Sequence, residues 1–459
     1  MTVLSQQLYN KILHLLWRSK AGPPFNGRPN SQSKAQRWLL SLNLVSSTFH
    51  ECILSLNDSF VIHTHHIVDD MAPHLVSAYA PFPMPLRRLV LNYSPDRSSE
   101  KNNIPALLAL VDGLAECTCY IDHAPIVCKM LPSTLRYLNV TVDREREAEE
   151  YPNEDYLKVL QTIASHHHAL EHLVINLEVD YHSDRYRSEN DDWTGSNNIV
   201  GDNFFEFCNH LFGAASFASL TTFKLKSCGD DLQLSQNMMN YPGYFFSRLH
   251  HAAPNLESLT LSLATESQSN LKALLNGLVW FMQQTPTLVK IMLLRLDSSL
   301  NQPNLITYLL QTSNVKQFNI PILIGSLIEI KRHFRYLSLT LDSAKPDLDD
   351  VRTINALQSL RLVDHIKLIG LGLDNLDLTR TVLSYIGPPT RALTLSGYLL
   401  IQDIVSLLRE CRLNEIHLDL GIQEVEYIQP LQQQFPEKIL CVRRRWSKRP
   451  DREWMSLAK

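Results

Sequence analysis

The feature that most constrains the fold of this chain is a six-residue phrase that recurs along most of its length. The phrase is Leu-x-x-Leu-x-Leu, or the same spacing with another apolar residue. It occurs at residues 86–91, 135–140, 170–175, 220–225, 256–261, 288–293, 315–320, 334–339, 357–362 and 413–418. In its last three positions, apolar residues alternate with other residues, as in a short strand with one buried face. The phrase therefore predicts a series of short strands that share a core.

Helix-like stretches separate several of these predicted strands. Residues 156–164, 271–282 and 401–410 carry apolar side chains at helical spacing. A repeated unit of strand, loop and helix with this phrase resembles the leucine-rich repeat. The resemblance implies an α/β fold, a curved leucine-rich-repeat solenoid with parallel strands on its concave face.

The spacing of the phrases is irregular. From residue 86 to residue 334 they begin 49, 35, 50, 36, 32, 27 and 19 residues apart, whereas leucine-rich repeats keep to about 20–29 residues. The long intervals either hide unrecognised repeats or carry insertions. The alternative fold is a doubly wound α/β protein. The recurrence of one phrase and the lack of a nucleotide-binding fingerprint favour the repeat array.

Residues between the core positions of each phrase are the candidate binding positions. They are expected to point to the concave face and to a bound partner. The candidate substrate-binding residues are Arg136, Tyr137, His172, Lys224, Arg335, Arg361 and His417. Charges of both signs occur in these phrases, as in Glu171 beside His172. A polypeptide partner therefore fits this face better than a nucleic acid does.

Two apolar segments near the N terminus form a second pattern. Residues 4–16 place apolar side chains on one helical face, and residues 39–53 follow a connection rich in Gly, Pro, Asn and Ser. The pair resembles an F-box, although Ser5 stands where the family usually has proline. The resemblance implies contact with a Skp adaptor through Leu4, Leu8, Ile12, Leu13, Leu16, Val45 and Phe49. The alternative is an amphipathic helical cap on the repeats.

Together the two patterns resemble the F-box/leucine-rich-repeat family. This resemblance implies a substrate-recognition subunit of a Skp–cullin–F-box ubiquitin ligase, with the adaptor, the cullin–RING ligase and a target protein as partners. The alternative is a leucine-rich-repeat interaction scaffold without a ligase role. The predicted organisation is an F-box-like domain over 1–56, a connection over 57–85, the repeat array over 86–442 and a solvated basic tail over 443–459.

Composition and missing motifs argue against other classes of protein. The chain has no phosphate-binding Gly-x-x-x-x-Gly-Lys loop, no Gly-x-Ser-x-Gly and no His-Glu-x-x-His, so we expect neither an enzyme nor a cofactor nor a metal site. The 8 cysteines form no Cys-x-x-Cys pair, which favours buried thiols in a reducing compartment. A net charge of −4 does not favour nucleic-acid binding. With no signal peptide and no apolar run long enough to cross a membrane, we expect a cytoplasmic or nuclear protein.

Overall fold

The structure is a computed structural model of the 459-residue chain. It describes residues 88–91, 114–120, 131, 133–143, 154–178, 200–213, 216–227, 238–262, 268–294, 300, 302–341, 350–397, 400–420, 428–443 and 454–456. The chain divides into two compact units. One consists of Met1–Asp231 with His251–Pro254, and the other of Leu232–His250 with Asn255–Lys459.

The first unit contains five described strands that are all parallel. Its elements are β1 Arg88–Leu91, β2 Glu116–Tyr120, β3 Tyr137–Asp143, α1 Glu154–His166, β4 His172–Glu178, α2 Val200–Phe212 and β5 Thr222–Ser227. Each strand pairs with its neighbour in sequence, as Leu138 pairs with Cys117 on one side and with Leu173 on the other. The helices α1 and α2 pack beside each other.

The second unit continues the same alternation of strand and helix. Its elements are α3 Pro242–Ala252, β6 Ser258–Ser262, α4 Gln268–Gln284, β7 Lys290–Leu294, α5 Pro303–Thr307, β8 Gln317–Leu323, β9 Tyr336–Thr340, α6 Val351–Gln358, β10 His365–Leu371, α7 Leu376–Tyr385, β11 Ala392–Gly397, α8 Ile401–Glu410, β12 Glu415–Leu420, α9 Ile428–Gln434, β13 Ile439–Arg443 and β14 Trp454–Ser456. Strands β6 to β13 are parallel and follow one another in sequence order. A π-helical turn, Tyr308–Thr312, extends α5.

The core lies between the helices and one face of the strands. Leu and Phe side chains at alternate strand positions are fully buried, for example Phe223, Leu337 and Leu368. The ring of Phe212 in α2 meets that of Phe223 edge to face, with centroids 5.5 Å apart. Helix and strand thus bury their apolar sides against each other, which is the main source of stability in such a layer.

Neighbouring repeats of the second unit are joined by one recurring hydrogen-bond pattern. A single carbonyl oxygen just before a strand accepts two N–H groups from the next repeat. Val289 O accepts from the N–H groups of Lys316 and Gln317 at 2.7 and 3.1 Å. Lys316 O in turn accepts from Arg335 and Tyr336 at 2.8 and 3.2 Å. The pattern holds successive strands in register.

The structure confirms the α/β class and agrees with a leucine-rich-repeat type of fold. Nine of the ten phrases coincide with strands. From β8 to β13 the strands begin at residues 317, 336, 365, 392, 415 and 439, which is close to the repeat length of about 20–29 residues. Strand β2 lies between the phrases at 86–91 and 135–140, and β10 and β11 lie between those at 357–362 and 413–418, so two of the long intervals hide repeats. The curvature of the array stays a prediction.

One phrase was wrongly assigned to a strand. Residues 357–362 are the last residues of α6 and a 3₁₀ turn, Ser359–Leu362, and the strand of this repeat is β10. Leu357 and Leu360 are buried nonetheless, because a spacing of three residues also places two side chains on one face of a helix. Arg361 is consequently an exposed residue of a turn and not of a strand.

A short strand lies within the C-terminal segment that was predicted to be a basic tail. This strand, β14, runs antiparallel to β13, with Val442 opposite Met455. Pairing covers the backbone N–H and C=O groups that an edge strand would otherwise expose. No helix among the described residues is long and apolar enough to cross a membrane. The whole F-box-like segment, with its predicted adaptor-binding residues, lies outside the described residues.

Candidate functional site

The candidate site is the non-core face of strands β9 to β12. On these strands the core residues alternate with residues that point to the opposite face. The latter include Tyr336, His365, Lys367, Thr394, Ser396, Glu415, His417 and Asp419. Strand β11 contributes only small side chains to this face, so the longer side chains of β10 and β12 lie over it and bury it.

Two histidines and a tyrosine form an aromatic cluster above β11. The imidazole rings of His365 and His417 are stacked, with centroids 5.5 Å apart and an interplanar angle of 21°. The ring of Tyr336 meets His365 edge to face at 5.1 Å. His365 Nε2 lies 2.8 Å from Thr394 Oγ1 and is hydrogen-bonded to it. Tyr336, His365 and His417 all stay partly exposed, so the rings are held in place and still accessible to a partner.

The electrostatics of this cluster keep His365 neutral. Burial lowers the pKa of His365 to about 4, and the positive charges that His417 and Lys367 can carry act in the same direction, whereas the Glu415 carboxylate opposes them. His417 Nε2 lies 2.9 Å from Glu415 Oε1. A neutral imidazole has one donor and one acceptor nitrogen, and His365 uses one of them on Thr394.

An ion pair continues the cluster along the same face. Lys367 Nζ lies 3.3 Å from Asp419 Oδ2, and Ser396 Oγ donates to the same oxygen at 3.4 Å. The Asp419 side chain is only 6% exposed and that of Lys367 22%. Burial of an acidic side chain is costly unless the side chain is paired and hydrogen-bonded. The pair therefore fixes two more side chains of the face in one arrangement.

In the first unit the same face shows a smaller arrangement of the same kind. The rings of Tyr137 and His172, which are cross-strand neighbours, lie 6.0 Å apart. Asn176 Nδ2 donates to Asn139 Oδ1 at 2.7 Å. Arg136, just before β3, forms an ion pair with Glu171 at 2.7 Å.

The structure brings together some of the candidates predicted from the sequence. Tyr137 and His172 touch in the first unit, and His417 belongs to the aromatic cluster in the second. Lys224 lies on the same face of β5, beside Val174 of β4. Arg136 and Arg335 precede their strands and are exposed, and Arg361 is on a turn. These three arginines thus lie just before a strand or in a turn, and not on the strands themselves.

Sequence reasoning missed most of the cluster on β9 to β12. Tyr336, His365, Lys367, Thr394 and Asp419 were not among the predicted binding residues. The available signals were residues 363–368, which fit the phrase with valine in the leading position, and the alternation in residues 393–396, which lacks a leading apolar residue. Thr390 occupies that leading position before β11, so a search for Leu-x-x-Leu-x-Leu passes over the strand.

Other kinds of site receive no support from the described residues. They contain no group of three or more His, Cys, Asp or Glu side chains that could hold a metal ion. A cavity of about 390 Å³ lies between α4 and α5, lined in part by Lys272, Asn276 and Pro303. It belongs to the helical side of the second unit and not to the strand face.

Comparisons with known proteins add little to this geometry. No family model matches the sequence, and no curated protein matches it either. Among solved structures, the crystal structure of the leucine-rich repeat-containing protein LegL7 from Legionella pneumophila is similar. It is 13% identical, with coverage of 82% of this chain and 97% of that chain, and a TM-score of 0.36. A similarity at that level carries no argument about function.

Proposed function

We propose that this chain binds a protein partner on the polar face of strands β9 to β12. The observation that carries the proposal is the cluster of Tyr336, His365 and His417, three partly exposed rings held by contacts with one another and with Thr394. Side chains that are already ordered lose little conformational entropy on binding. Tyrosine is also enriched in protein interfaces, where an apolar ring and a polar end both find partners.

The shape of the site supports a polypeptide over a small molecule as the ligand. Small ligands bind in clefts that cover most of their surface, whereas the cluster spreads over the side chains of four adjacent strands. Adjacent strands lie about 4.8 Å apart, so the four strands present a surface about 15 Å wide. That width suits a segment of chain or the edge of a folded domain.

Peptide display on the full chain tests this proposal. A library of random linear peptides is selected on the wild-type protein and on the double variant Tyr336→Ala, His417→Ala. We expect the selected peptides to bind the double variant at least about tenfold more weakly, which corresponds to about 1.4 kcal/mol. The control variant, Tyr241→Ala with His251→Ala, removes an exposed tyrosine and an exposed histidine elsewhere and should bind like the wild type. Equal loss in both variants would count against the site.

A second and more specific candidate function is that of the substrate-recognition subunit of a Skp–cullin–F-box ubiquitin ligase. What supports it is the F-box resemblance of residues 4–16 and 39–53. In this mechanism the N-terminal segments bind the Skp adaptor and the strand face holds a target protein near the ubiquitin-charged enzyme. The chain acts by raising the effective concentration of the target and makes or breaks no bond itself.

Adaptor binding by the full chain tests the ligase candidate. We expect co-expression with the Skp adaptor to give a one-to-one complex in size-exclusion chromatography. Ile12→Asp or Phe49→Asp places a charge on the predicted apolar face and should abolish the complex. Asn10→Asp changes a polar residue on the opposite side of the predicted helix and serves as the control. A folded wild-type chain that elutes without the adaptor would leave the interaction scaffold as the function.

A further inference from the structure

Three exposed basic residues occupy equivalent positions just before strands β8, β9 and β11. They are Lys316, Arg335 and Arg391, and we call them the basic row. The registers that pair Gln317 with Tyr336 and His365 with Ala392 fix their order. The position between Arg335 and Arg391 belongs to Asp364.

Among the described residues, no acidic side chain forms an ion pair with a member of the basic row. Asp364, the one acidic residue at these positions in β8 to β11, is paired with the imidazole of His333, at 2.9 Å between Nε2 and Oδ1. Within the part of the chain that the structure describes, the side chains of Lys316, Arg335 and Arg391 take part in no ion pair and no hydrogen bond. Three positive charges therefore point into solvent along one edge of the strands.

In the first unit, the basic residue at the equivalent position is paired with an acidic residue before the neighbouring strand. Arg136 and Glu171 stand just before β3 and β4, in the register that pairs Tyr137 with His172. Their side chains meet at 2.7 Å. Like charges on neighbouring strands cost roughly 0.2–1 kcal/mol. In the second unit Lys316 and Arg335 lie on neighbouring strands and both carry a positive charge. Their repulsion raises the free energy of the unbound chain and would be relieved by an anionic partner.

Helix stabilisation does not account for the basic row. A cation stabilises a helix C terminus only within the last turn, as Arg409 in α8 can. The helix α7 ends at Tyr385, well before Arg391, and the π-helical turn ends at Thr312, before Lys316. The basic row therefore has no evident role in stabilising the fold.

We propose that the basic row binds an acidic segment of the protein partner. The inference rests on the proposed function, because Arg335 directly precedes Tyr336 of the aromatic cluster. Neighbouring strands are about 4.8 Å apart, so Lys316 lies one strand from Arg335 and Arg391 two strands from it. An extended peptide that crosses the strands presents every second side chain on one side, about 6.7 Å apart. The row spans three strand spacings, about 14 Å, and anionic side chains at positions 1, 3 and 5 of such a peptide span about 13 Å.

The charge balance of the surroundings favours an acidic peptide over a nucleic acid. Glu415 and Asp419 lie on the adjoining strand face, where they would repel a continuous run of phosphates. Affinity for a nucleic acid grows with the number of phosphates that Lys and Arg side chains neutralise, and the row offers three such side chains. Three cations beside a mixed face fit a short segment of carboxylates or phosphorylated side chains.

Fluorescence anisotropy with defined probes tests the inference on the full chain. The probe is a fluorescein-labelled peptide of alternating glutamate and glycine. The row variant carries Lys316→Glu, Arg335→Glu and Arg391→Glu. The control variant carries Lys272→Glu, Arg352→Glu and Arg409→Glu, three exposed residues of helices α4, α6 and α8, and changes the net charge equally. Circular dichroism of both variants checks that they fold.

We expect the row variant to bind the glutamate probe at least tenfold more weakly, and the control variant to bind it within about threefold of the wild type. The affinity should fall as salt is raised, because exposed charges are screened. A phosphoserine–glycine probe distinguishes the source of the anion: tighter binding than glutamate, lost in the same variant, assigns a phosphorylated segment. Equal binding by wild type and row variant would overturn the inference, as would tighter binding of single-stranded DNA of equal charge.

The peptide display separates this inference from the proposed function. Peptides selected on the wild type should be enriched in acidic residues, and this enrichment should disappear on the row variant. Selected peptides that need Tyr336 and His417 but show no acidic preference would overturn the basic row alone. A selection that yields no binding peptide would overturn the proposed function, and the basic row with it.

Discussion

At the residue scale, one guanidinium group ties together the loops of two repeats. Arg332 Nη2 donates to Leu309 O at 2.7 Å, to Ser313 Oγ at 2.9 Å and to Val315 O. Its guanidinium also lies 4.5 Å from the centre of the Phe334 ring. Burial lowers the pKa of Arg332 to about 10, so the group remains charged at neutral pH. One of its acceptors, Leu309 O, belongs to the π-helical turn Tyr308–Thr312, where the last carbonyl groups lack intrahelical partners.

The variant Arg332→Met should therefore destabilise the second unit. Methionine keeps the apolar stem but removes this donor from Val315 O and leaves Leu309 O with the Ser313 hydroxyl alone. Each hydrogen bond from a charged group is worth about 1.5–3 kcal/mol. We expect urea unfolding to show a loss of about 2–4 kcal/mol. Arg335→Met, at an exposed position nearby, is the control and should change stability by less than about 0.5 kcal/mol. Similar losses in the two variants would contradict the role of Arg332.

His365 makes the stability of the same unit depend on pH. Its folded-state pKa of about 4 lies below the value of about 6.5 in an unfolded chain. Between these values the unfolded state binds more protons, so stability is full above about pH 6.5 and falls as the pH drops toward 4. The slope from this group is at most about 1.4 kcal/mol per pH unit. His365→Gln keeps a polar partner for Thr394 and removes the titration.

Urea unfolding of the wild type and of His365→Gln at about pH 7, 6 and 5 measures this effect. The wild type should lose stability faster than the variant as the pH falls, because other titrating groups contribute equally to both proteins. Parallel pH profiles of the two proteins would show that His365 is not held neutral by its surroundings.

At the element scale, a glycine shapes the end of strand β10. Ile369 pairs with Ser396 and Leu371 with Gly397, so Gly370 is an extra residue between two pairs, a β-bulge. Its φ of +81° is in the left-handed region that favours glycine. Asn375 Nδ2 donates to Gly370 O at 2.7 Å, and Asn375 Oδ1 accepts from Gly372 N at 2.9 Å. The bulge thus turns the chain from β10 toward α7.

Gly370→Ala should strain this turn. A left-handed conformation costs a residue with a Cβ about 1–2 kcal/mol, and the added carbon would lie 3.1 Å from Leu341 O. We expect thermal unfolding to show a loss of about 1–3 kcal/mol. Gly325→Ala is the control, since a Cβ there meets no atom within 4 Å. If both substitutions were neutral, the bulge would not depend on glycine.

The strands show how far the sequence predicts this fold. Alternation of apolar residues located β1, β3 to β9 and β12, because one buried face is a local property of six residues. The same phrase gave a wrong strand prediction at Leu357 and Leu360, because side chains three residues apart also lie on one face of a helix. The contact between His365 and His417 could not be predicted, since it depends on the small side chains of β11 and on the register of three strands.

At the scale of the whole molecule, sequence order and spatial order coincide within each unit. In the second unit every parallel strand pairs only with the strands before and after it in sequence. Helices α6, α7 and α8 likewise pack beside their sequence neighbours. In such an array stability is approximately a sum of repeat and nearest-neighbour terms. Damage to one repeat should therefore weaken its neighbours more than distant repeats.

A substitution that creates a cavity at β9 tests whether each repeat is coupled mainly to its nearest neighbours. Leu337 is fully buried and lies between Phe318 of β8 and Ile366 of β10. Leu337→Ala should cost about 2–5 kcal/mol locally. Hydrogen exchange should then accelerate at the amides of β8, β9 and β10, while β12 and β13 keep more of their protection. The control is Ser338→Ala on the same strand, because Ser338 Oγ is buried and has no hydrogen-bond partner among the described residues.

How far along the strands the Leu337→Ala substitution accelerates hydrogen exchange decides between two unfolding mechanisms for the second unit. Faster exchange confined to the strands around β9 would mean that repeats open in groups. The cluster on β9 to β12 could then loosen at its Tyr336 side while His417 stays in place. Equal acceleration from β6 to β13 would contradict the nearest-neighbour description, because the unit would then open as one cooperative body. In that case a substitution anywhere in its core would disturb the strand face equally.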